Sequence, residues 1–196
     1  MRNVKDTGRA IVRAAVPDDA KRIAEINVRS WQAAYAGIVP AAVLDGMEVE
    51  PRRVTWLERM ANLGQRTLFV AELRGRIEGY VLSGPYRDHD LPELTGEVYA
   101  IYVDPPKQGR GLGRALLDTA SRELRSAGFQ PLVLWVLTAN APGRRFYEAC
   151  GWQDDDVGNN CLTSPYEPPP PPDEQSVDDP CAALGYGGTC DAGSCR

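Results

Sequence analysis

The residues that most clearly indicate chemistry form a short glycine-rich segment, 108–113, which reads Gln-Gly-Arg-Gly-Leu-Gly. It follows an apolar run, 97–103, and opens a stretch of helical apolar spacing that begins near Leu112. Glycines let the backbone turn tightly and expose its amide hydrogens, and a helix N-terminus adds partial positive charge. These features favour a phosphate or diphosphate site, with a glycine-rich helix cap that binds no ligand as the alternative. Lys107 and Arg114 flank the segment and Arg110 lies within it, so three cations stand at the rim of the expected site.

Two other phosphate-binding motifs are excluded by the residues at their key positions. A P-loop ends in Gly-Lys-Ser or Gly-Lys-Thr, whereas Gly113 is followed by Arg114 and Ala115. The dinucleotide fingerprint needs a third glycine where this chain has Arg114 or Leu116, depending on the starting glycine. The sequence therefore favours neither nucleoside-triphosphate hydrolysis nor hydride transfer.

A second pattern follows the glycine-rich segment along the chain. Asn140 precedes two short runs, Phe146-Tyr147-Glu148 and Gly151-Trp152. Together with Val103-Asp104-Pro105 and the segment 108–113, this order resembles the GNAT superfamily of acetyl-coenzyme-A-dependent N-acetyltransferases, over roughly residues 9–153. The resemblance implies an α/β protein of the GNAT fold, with a mixed central sheet flanked by helices.

The resemblance also implies which residues hold the carrier, acetyl-CoA, as co-substrate. The backbone amides of 108–113 would bind the diphosphate, the backbone of 101–103 would pair with the pantetheine arm like an added strand, and Asn140 would contact that arm. The residues expected at the carrier site are Ile101, Tyr102, Val103, Gln108, Gly109, Arg110, Gly111, Leu112, Gly113, Arg114 and Asn140.

Acetyl transfer to an amine requires an oxyanion stabiliser, a proton acceptor for the amine and help for the departing thiolate. A backbone N–H near Val103 could supply the first. Tyr147 resembles the family's general acid for the thiolate, with an ordinary core tyrosine as the alternative.

Glu97 is the candidate general base, directly or through a water, and the alternative is a solvated carboxylate at the end of a strand. Removing the proton of an amine with a pKa of about 10.4 costs roughly 4.6 kcal/mol at pH 7, but only about 1 kcal/mol for an α-amino group. A strong base therefore matters more for lysine-like acceptors or polyamines than for α-amino groups.

The acceptor pocket is expected near Trp31 and Tyr35, because the segment 30–40 looks like a subgroup of the superfamily that includes small-amine acetyltransferases. Aromatic residues four apart are also typical of a helix core. His89, the only histidine, lies in a polar loop, so neither a Ser-His nor a Cys-His triad is indicated. The tail cysteines lack close Cys-x-x-Cys spacing, and no metal is expected.

The apolar patterns predict a mixed α/β order that would position these residues. We expect strands at 9–15, 67–73, 77–83, 97–103 and 132–137, and helices from after Pro17 to Gly37 and at 50–62, 112–127 and 140–150. The apolar runs 97–103 and 132–137, joined by a helix, predict a parallel crossover.

The 196 residues divide near residue 154 into a GNAT domain, 1–153, and an acidic tail, 154–196. The tail has nine carboxylates against one arginine, together with a run of five prolines. These features predict disorder or a frame-shifted product. The final two strands of the fold are not recognisable, so the edge at 132–137 requires cover from the tail or a partner strand.

We therefore expect an N-acetyltransferase acting on a small-molecule amine (polyamine, amino acid or antibiotic) or a protein N-terminus. A catalytically inactive acyl-CoA-binding sensor is the alternative. The weak positive charge of residues 1–153 argues against nucleic acid, and the short apolar runs argue against a membrane. A cytoplasmic location follows from the absence of a targeting signal, and a homodimer is left open.

Overall fold

The computed structural model describes residues 10–87, 91 and 93–153. His89 and the predicted tail, 154–196, lie outside these residues. Five strands are present: β1 (Ile11–Ala14), β2 (Thr67–Leu73), β3 (Arg76–Pro85), β4 (Gly96–Val103) and β5 (Leu132–Leu134). Five α-helices accompany them: α1 (Ala20–Ala34), α2 (Ala41–Asp45), α3 (Val49–Ala61), α4 (Leu112–Ser126) and α5 (Ala141–Ala149). Short 3₁₀ turns occupy Pro17–Asp19 and Pro105–Lys107.

The strands form one mixed sheet in the order β1-β2-β3-β4-β5. The first three pairings are antiparallel, and β4 pairs with β5 in parallel through the crossover helix α4. This arrangement confirms the predicted mixed architecture. In the part of the chain that the structure describes, the outer edge of β5 has no strand partner.

Two apolar clusters cover the two faces of the sheet. One side packs α1 and α3 on β2 and β3, with Ile23, Trp56 and Tyr80 among its buried members. The other side packs α4, through Leu116 and Leu117, against Val81, Val98 and Val103. The alternation of side chains along β3 and β4 supplies both clusters, because successive residues point to opposite faces.

The structure differs from the prediction in one strand and one helix. The strand expected at 132–137 ends at Leu134. The next three residues line a cavity instead of extending the ladder. The short helix α2 was missed, because five residues are too few for a helical apolar period to be recognised. Within the described residues, none of the helices combines the length and apolar character that crossing a membrane requires.

Candidate active site

The site begins where β4 and β5 separate. Their parallel pairing stops at Val98 and Leu134, but β4 continues to Val103. On the other side of β4, Ser83 pairs with Val98 and Leu82 pairs with Ala100, so Tyr99 is an extra residue in the ladder. Such a bulge bends the strand and increases its twist. In the part of the chain that is described, no strand covers the β5 side of β4 beyond the bulge.

A cavity of about 670 Å³ occupies this opening. Ile101, Tyr102 and Val103 form its β4 wall, and the glycine-rich loop closes one end. The remaining walls come from the residues after β5, from α5 and from the C-terminal end of α1. The charged residues among its described lining are all cations: Arg87, Lys107 and Arg114.

The glycine-rich loop has the backbone conformation that its sequence predicts. Gly109 and Gly111 have φ angles of 72° and 80°, in the left-handed region. A Cβ atom at either position would meet no heavy atom within 4 Å, so backbone conformation and not crowding within the protein favours glycine there. Gly111 is the N-cap of α4, which places the N-terminal amides of Leu112 and Gly113 beside the cavity.

Gly113 is glycine for a different reason. A Cβ atom on it would lie 3.1 Å from the ring of Phe146 on α5. The third glycine of the motif therefore allows α5 to pack closely on the first turn of α4. This contact also fixes Tyr147, the next residue of α5, at the cavity.

Side-chain hydrogen bonds connect the glycine-rich loop to β4 and to α5. The Gln108 amide Nε2 donates to the carbonyl oxygen of Val103 at 3.2 Å. Arg114 donates to the carbonyl oxygen of Ala149 at the end of α5. Arg110 is exposed and lies outside the cavity lining, so the structure places it at the rim.

Asn140 caps α5 on the opposite wall. Its Oδ1 accepts a hydrogen bond from the Gly143 amide at 3.1 Å, which leaves Nδ2 as the remaining donor of the side chain. A Cβ atom on Gly143 would lie 2.8 Å from that Nδ2. The residue lines the cavity, where the sequence predicted contact with the pantetheine arm.

Tyr147 lines the same cavity and is half-buried, with its ring centroid 5.1 Å from that of Phe146. Burial raises the pKa of its phenol, and the neighbouring Tyr35 and Cys150 raise it further. The phenol is therefore protonated throughout the neutral pH range and can donate a hydrogen bond.

The two aromatic residues predicted for the acceptor pocket separate in the structure. Tyr35 lines the cavity. Trp31 is fully buried and lies outside the cavity lining, packed edge-on against Tyr35 with ring centroids 5.1 Å apart. This position corrects the prediction that Trp31 lines the acceptor pocket. Its ring packs behind Tyr35, which forms the cavity wall.

Glu97 is neither solvated, as the alternative had it, nor free to act as a base in this conformation. Its side chain is only 1% exposed, and its carboxylate accepts hydrogen bonds from the Arg87 guanidinium at 2.6 and 3.2 Å. Arg87 also lies over the ring of Tyr99, 4.9 Å from its centroid. Burial, assisted by the charge of Glu97, raises the pKa of Tyr99 to about 12.

The sequence pattern did not predict the pair formed by Arg87 and Tyr99. Both line the cavity, near the start of β4 and opposite the glycine-rich loop. Tyr99 sits within an apolar run that predicts an ordinary strand residue, and Arg87 sits in a polar loop. Nothing in the local pattern signals the bulge that turns this part of β4 toward the cavity.

Comparison with known proteins decides the family. Residues 21–152 match the sequence model of the Acetyltransferase (GNAT) family. The chain belongs to this family. The predicted fold and the enzyme class of this GNAT protein, an acetyl-CoA-dependent acyltransferase, are therefore confirmed.

Several relatives support this assignment. The N-acetyltransferase YuaI of Bacillus subtilis is 34% identical over 139 residues, which cover 70% of this chain and 77% of the relative. The L-methionine sulfoximine/L-methionine sulfone acetyltransferase of Salmonella typhimurium is 33% identical over 119 residues, 60% of this chain and 68% of the relative. The structure of yncA from Salmonella typhimurium with its cofactor acetyl-CoA gives a TM-score of 0.56 and 28% identity, covering 73% of this GNAT protein and 79% of that chain.

Proposed function

We propose that the protein transfers an acetyl group from acetyl-CoA directly to the primary amine of a small molecule, with both substrates bound at once. The observation that carries the proposal is the opening between β4 and β5 beside the Gly109–Gly111 turn. One continuous cavity there lies along the β5-side edge of β4, where the described residues place no strand beyond Val98, and beside the N-terminal amides of α4, so it suits an extended arm joined to a diphosphate. The acetyl-CoA complex of the yncA relative supports this choice of carrier.

At the carbonyl carbon, the transfer forms a C–N bond and breaks the C–S bond. The neutral amine nitrogen attacks the thioester carbonyl carbon, and the carbonyl oxygen becomes an oxyanion, which we assign to a backbone N–H of β4 near Val103. The C–S bond then breaks as the carbonyl re-forms. The nitrogen gives its extra proton to Glu97, directly or through a water, the sulfur leaves as a thiolate that takes a proton from solvent, and the products are an amide and free CoA.

Tyr147 is the proposed partner of the departing sulfur. A thiol has a pKa of about 8.5, so it is a stronger acid than this phenol, whose pKa is raised above its usual value of about 10. Complete proton transfer from Tyr147 to the thiolate is therefore uphill. The phenol contributes mainly by donating a hydrogen bond to the negative charge that develops on sulfur.

Glu97 remains the proposed proton acceptor, and its contacts define what the incoming amine must do. The Arg87 guanidinium occupies this carboxylate, so an incoming amine must displace the guanidinium to reach it. Arg87 is 37% exposed and lines the cavity, which gives it room to move aside. Glu97→Gln would remove the proton acceptor and keep the shape of the side chain.

This arrangement favours acceptors with an α-amino group over strongly basic amines. An α-amino group needs only about 1 kcal/mol to lose its proton at pH 7, against roughly 4.6 kcal/mol for a lysine-like amine. The Salmonella relative named for methionine sulfoximine acts on such an amino-acid derivative. We propose amino acids first and polyamines, antibiotics and protein N-termini after them.

Thiol release from acetyl-CoA across a panel of amines tests the proposal. The expected result is turnover that depends on an amine and is fastest with small α-amino compounds. Tight acetyl-CoA binding without thiol release for any amine would instead indicate the inactive sensor. A cytoplasmic location and a homodimer stay predictions.

A further inference from the structure

A buried group of charges lies beside the carrier loop and outside the proposed chemistry. Glu78 on β3 and Asp104 at the end of β4 are each only 2% exposed. Arg22 of α1 reaches both, with its Nη2 atom 2.8 Å from the Glu78 carboxylate and 2.5 Å from that of Asp104. Its Nε donates to the carbonyl oxygen of Ile77 at 2.9 Å. One guanidinium thus joins a helix, a strand and the start of the loop.

The group continues into the carrier site through Lys107. The Nζ atom of Lys107 lies 3.2 Å from the second carboxylate oxygen of Glu78, and Lys107 lines the cavity next to the glycine-rich turn. Arg29, which lies closer to the C-terminal end of α1 than Arg22 does, has its Nη1 atom 3.2 Å from the Asp104 carboxylate. The Asp104 backbone also donates to the Glu78 carbonyl oxygen at 2.8 Å.

We propose that Arg22 is a positioning residue for diphosphate binding, acting through Asp104 and through Glu78 on Lys107. The inference rests on the proposed use of acetyl-CoA at this cavity. Arg22 is not among the residues that line the cavity. It holds the carboxylate of Asp104, where the loop leaves β4, and the carboxylate of Glu78, which positions the Lys107 ammonium group.

Electrostatics gives the reason for an arginine at this place. Two carboxylates this deeply buried are costly unless they are paired and hydrogen-bonded. Burial alone would lower the pKa of Arg22, but hydrogen bonds to Asp104, Glu25 and Glu78 outweigh it and raise that pKa. A lysine would keep the charge but lacks the planar fork that reaches two carboxylates and a carbonyl oxygen together.

The test compares two acetyl donors with the same thioester. Acetyl-pantetheine contains the reacting group and the arm but lacks the diphosphate and nucleotide of acetyl-CoA. We expect Arg22→Lys to lower kcat/KM for acetyl-CoA about tenfold, mainly through KM, and to leave kcat/KM for acetyl-pantetheine within about twofold. Lys107→Met should give the same loss of kcat/KM for acetyl-CoA alone. Because the Lys107 side chain is partly exposed, this variant still tests the inference if Arg22→Lys does not fold.

The double variant shows whether the two residues act through one path. If Arg22 works through Lys107, Arg22→Lys adds little to the loss already caused by Lys107→Met. Arg13→Lys is the matched control, since Arg13 also pairs with two carboxylates, Asp19 and Glu72, away from the cavity.

Equal losses with both donors, fully additive losses, or the same loss in the Arg13→Lys control would each overturn the inference. Unchanged kinetics in Arg22→Lys would overturn it as well. A wild-type protein that transfers acetyl from neither donor refutes the proposed function itself, which is a different result.

Discussion

The two ends of the cavity are built in different ways. The end that we propose for the carrier is formed mainly by one stretch of chain, 103–114, with a backbone turned by the left-handed residues Gly109 and Gly111. The end that we propose for the acceptor is formed by side chains of separate elements: Tyr35 from the C-cap of α1, Arg87 from the residues after β3 and Tyr99 from β4. The carrier end therefore suits a ligand shared by a whole family, whereas the acceptor end can change one side chain at a time.

Tyr147 lies between the two ends, and its loss should have the largest effect. Tyr147→Phe removes the hydrogen bond to the departing sulfur, so kcat should fall about 100-fold. The dissociation constant for CoA should stay within a few-fold of the unaltered protein, as measured by calorimetry. Because the pKa of Tyr147 is raised, its ionisation should not limit kcat below about pH 10. A kcat equal to that of the unaltered protein would remove Tyr147 from the mechanism.

A substitution in the carrier loop tests whether that end works through its backbone. Gly111→Ala forces a Cβ into the left-handed region, at a cost of about 1–2 kcal/mol, and adds it to the turn that we propose binds the diphosphate. We expect acetyl-CoA affinity to fall at least about tenfold.

Gly128→Ala is the matched control for the loop. Gly128 has a φ of 92°, also meets nothing within 4 Å, and follows α4 away from the cavity. It should show a similar loss of thermal stability with unchanged affinity. Equal affinity loss in both variants would show that strain, and not the diphosphate contact, causes the effect.

At the acceptor end, Glu97→Gln should distinguish between amines. For an acceptor with a pKa near 10 the variant should lower kcat/KM at pH 7 about tenfold, and for an α-amino acceptor only about twofold. The difference arises because only the more basic amine depends on a strong proton acceptor. Measuring both acceptors from pH 6 to pH 9 checks this, and identical losses for the two amines would exclude Glu97 as the base.

The smallest catalytic effect is expected outside both ends. Asp19 accepts hydrogen bonds from Arg13 at 2.7 Å and from the Val16 amide at 2.8 Å, at the start of α1. Burial would raise the pKa of Asp19, but these contacts outweigh it and lower that pKa. Asp19→Asn should therefore cost about 1–2 kcal/mol of stability at pH 7 with unchanged kinetics.

The stability difference at Asp19 should depend on pH in a defined direction. Because the folded-state pKa lies below the unfolded value of about 3.9, the carboxylate stabilises the fold fully above that pH. The contribution is lost as the pH falls through the folded-state pKa. Denaturant titrations at pH 7 and pH 3 should show the gap between the two proteins narrowing, and a constant gap would contradict the assignment.

Much of the fold could be predicted from the chain. The period of apolar residues predicted α4, Pro142 in the first turn and Gly151 after the end predicted α5, and the apolar run before Asp104 predicted β4, because these signals are local in the chain. The same reasoning extended β5 too far, since 135–137 remain apolar while leaving the sheet to line the cavity. An apolar pattern indicates that residues are shielded from water. It does not distinguish residues that pair with a neighbouring strand from residues that line a cavity.

By itself the sequence determined the glycine turn and the helix that follows it. The physical reason is that glycine φ angles and helix starts depend on neighbours in the chain. Only the tertiary structure decided the acceptor end. It placed Trp31 behind the wall, paired Glu97 with Arg87 and turned Tyr99 into the cavity through a bulge. Those outcomes depend on contacts between residues far apart in sequence, for which no local pattern exists.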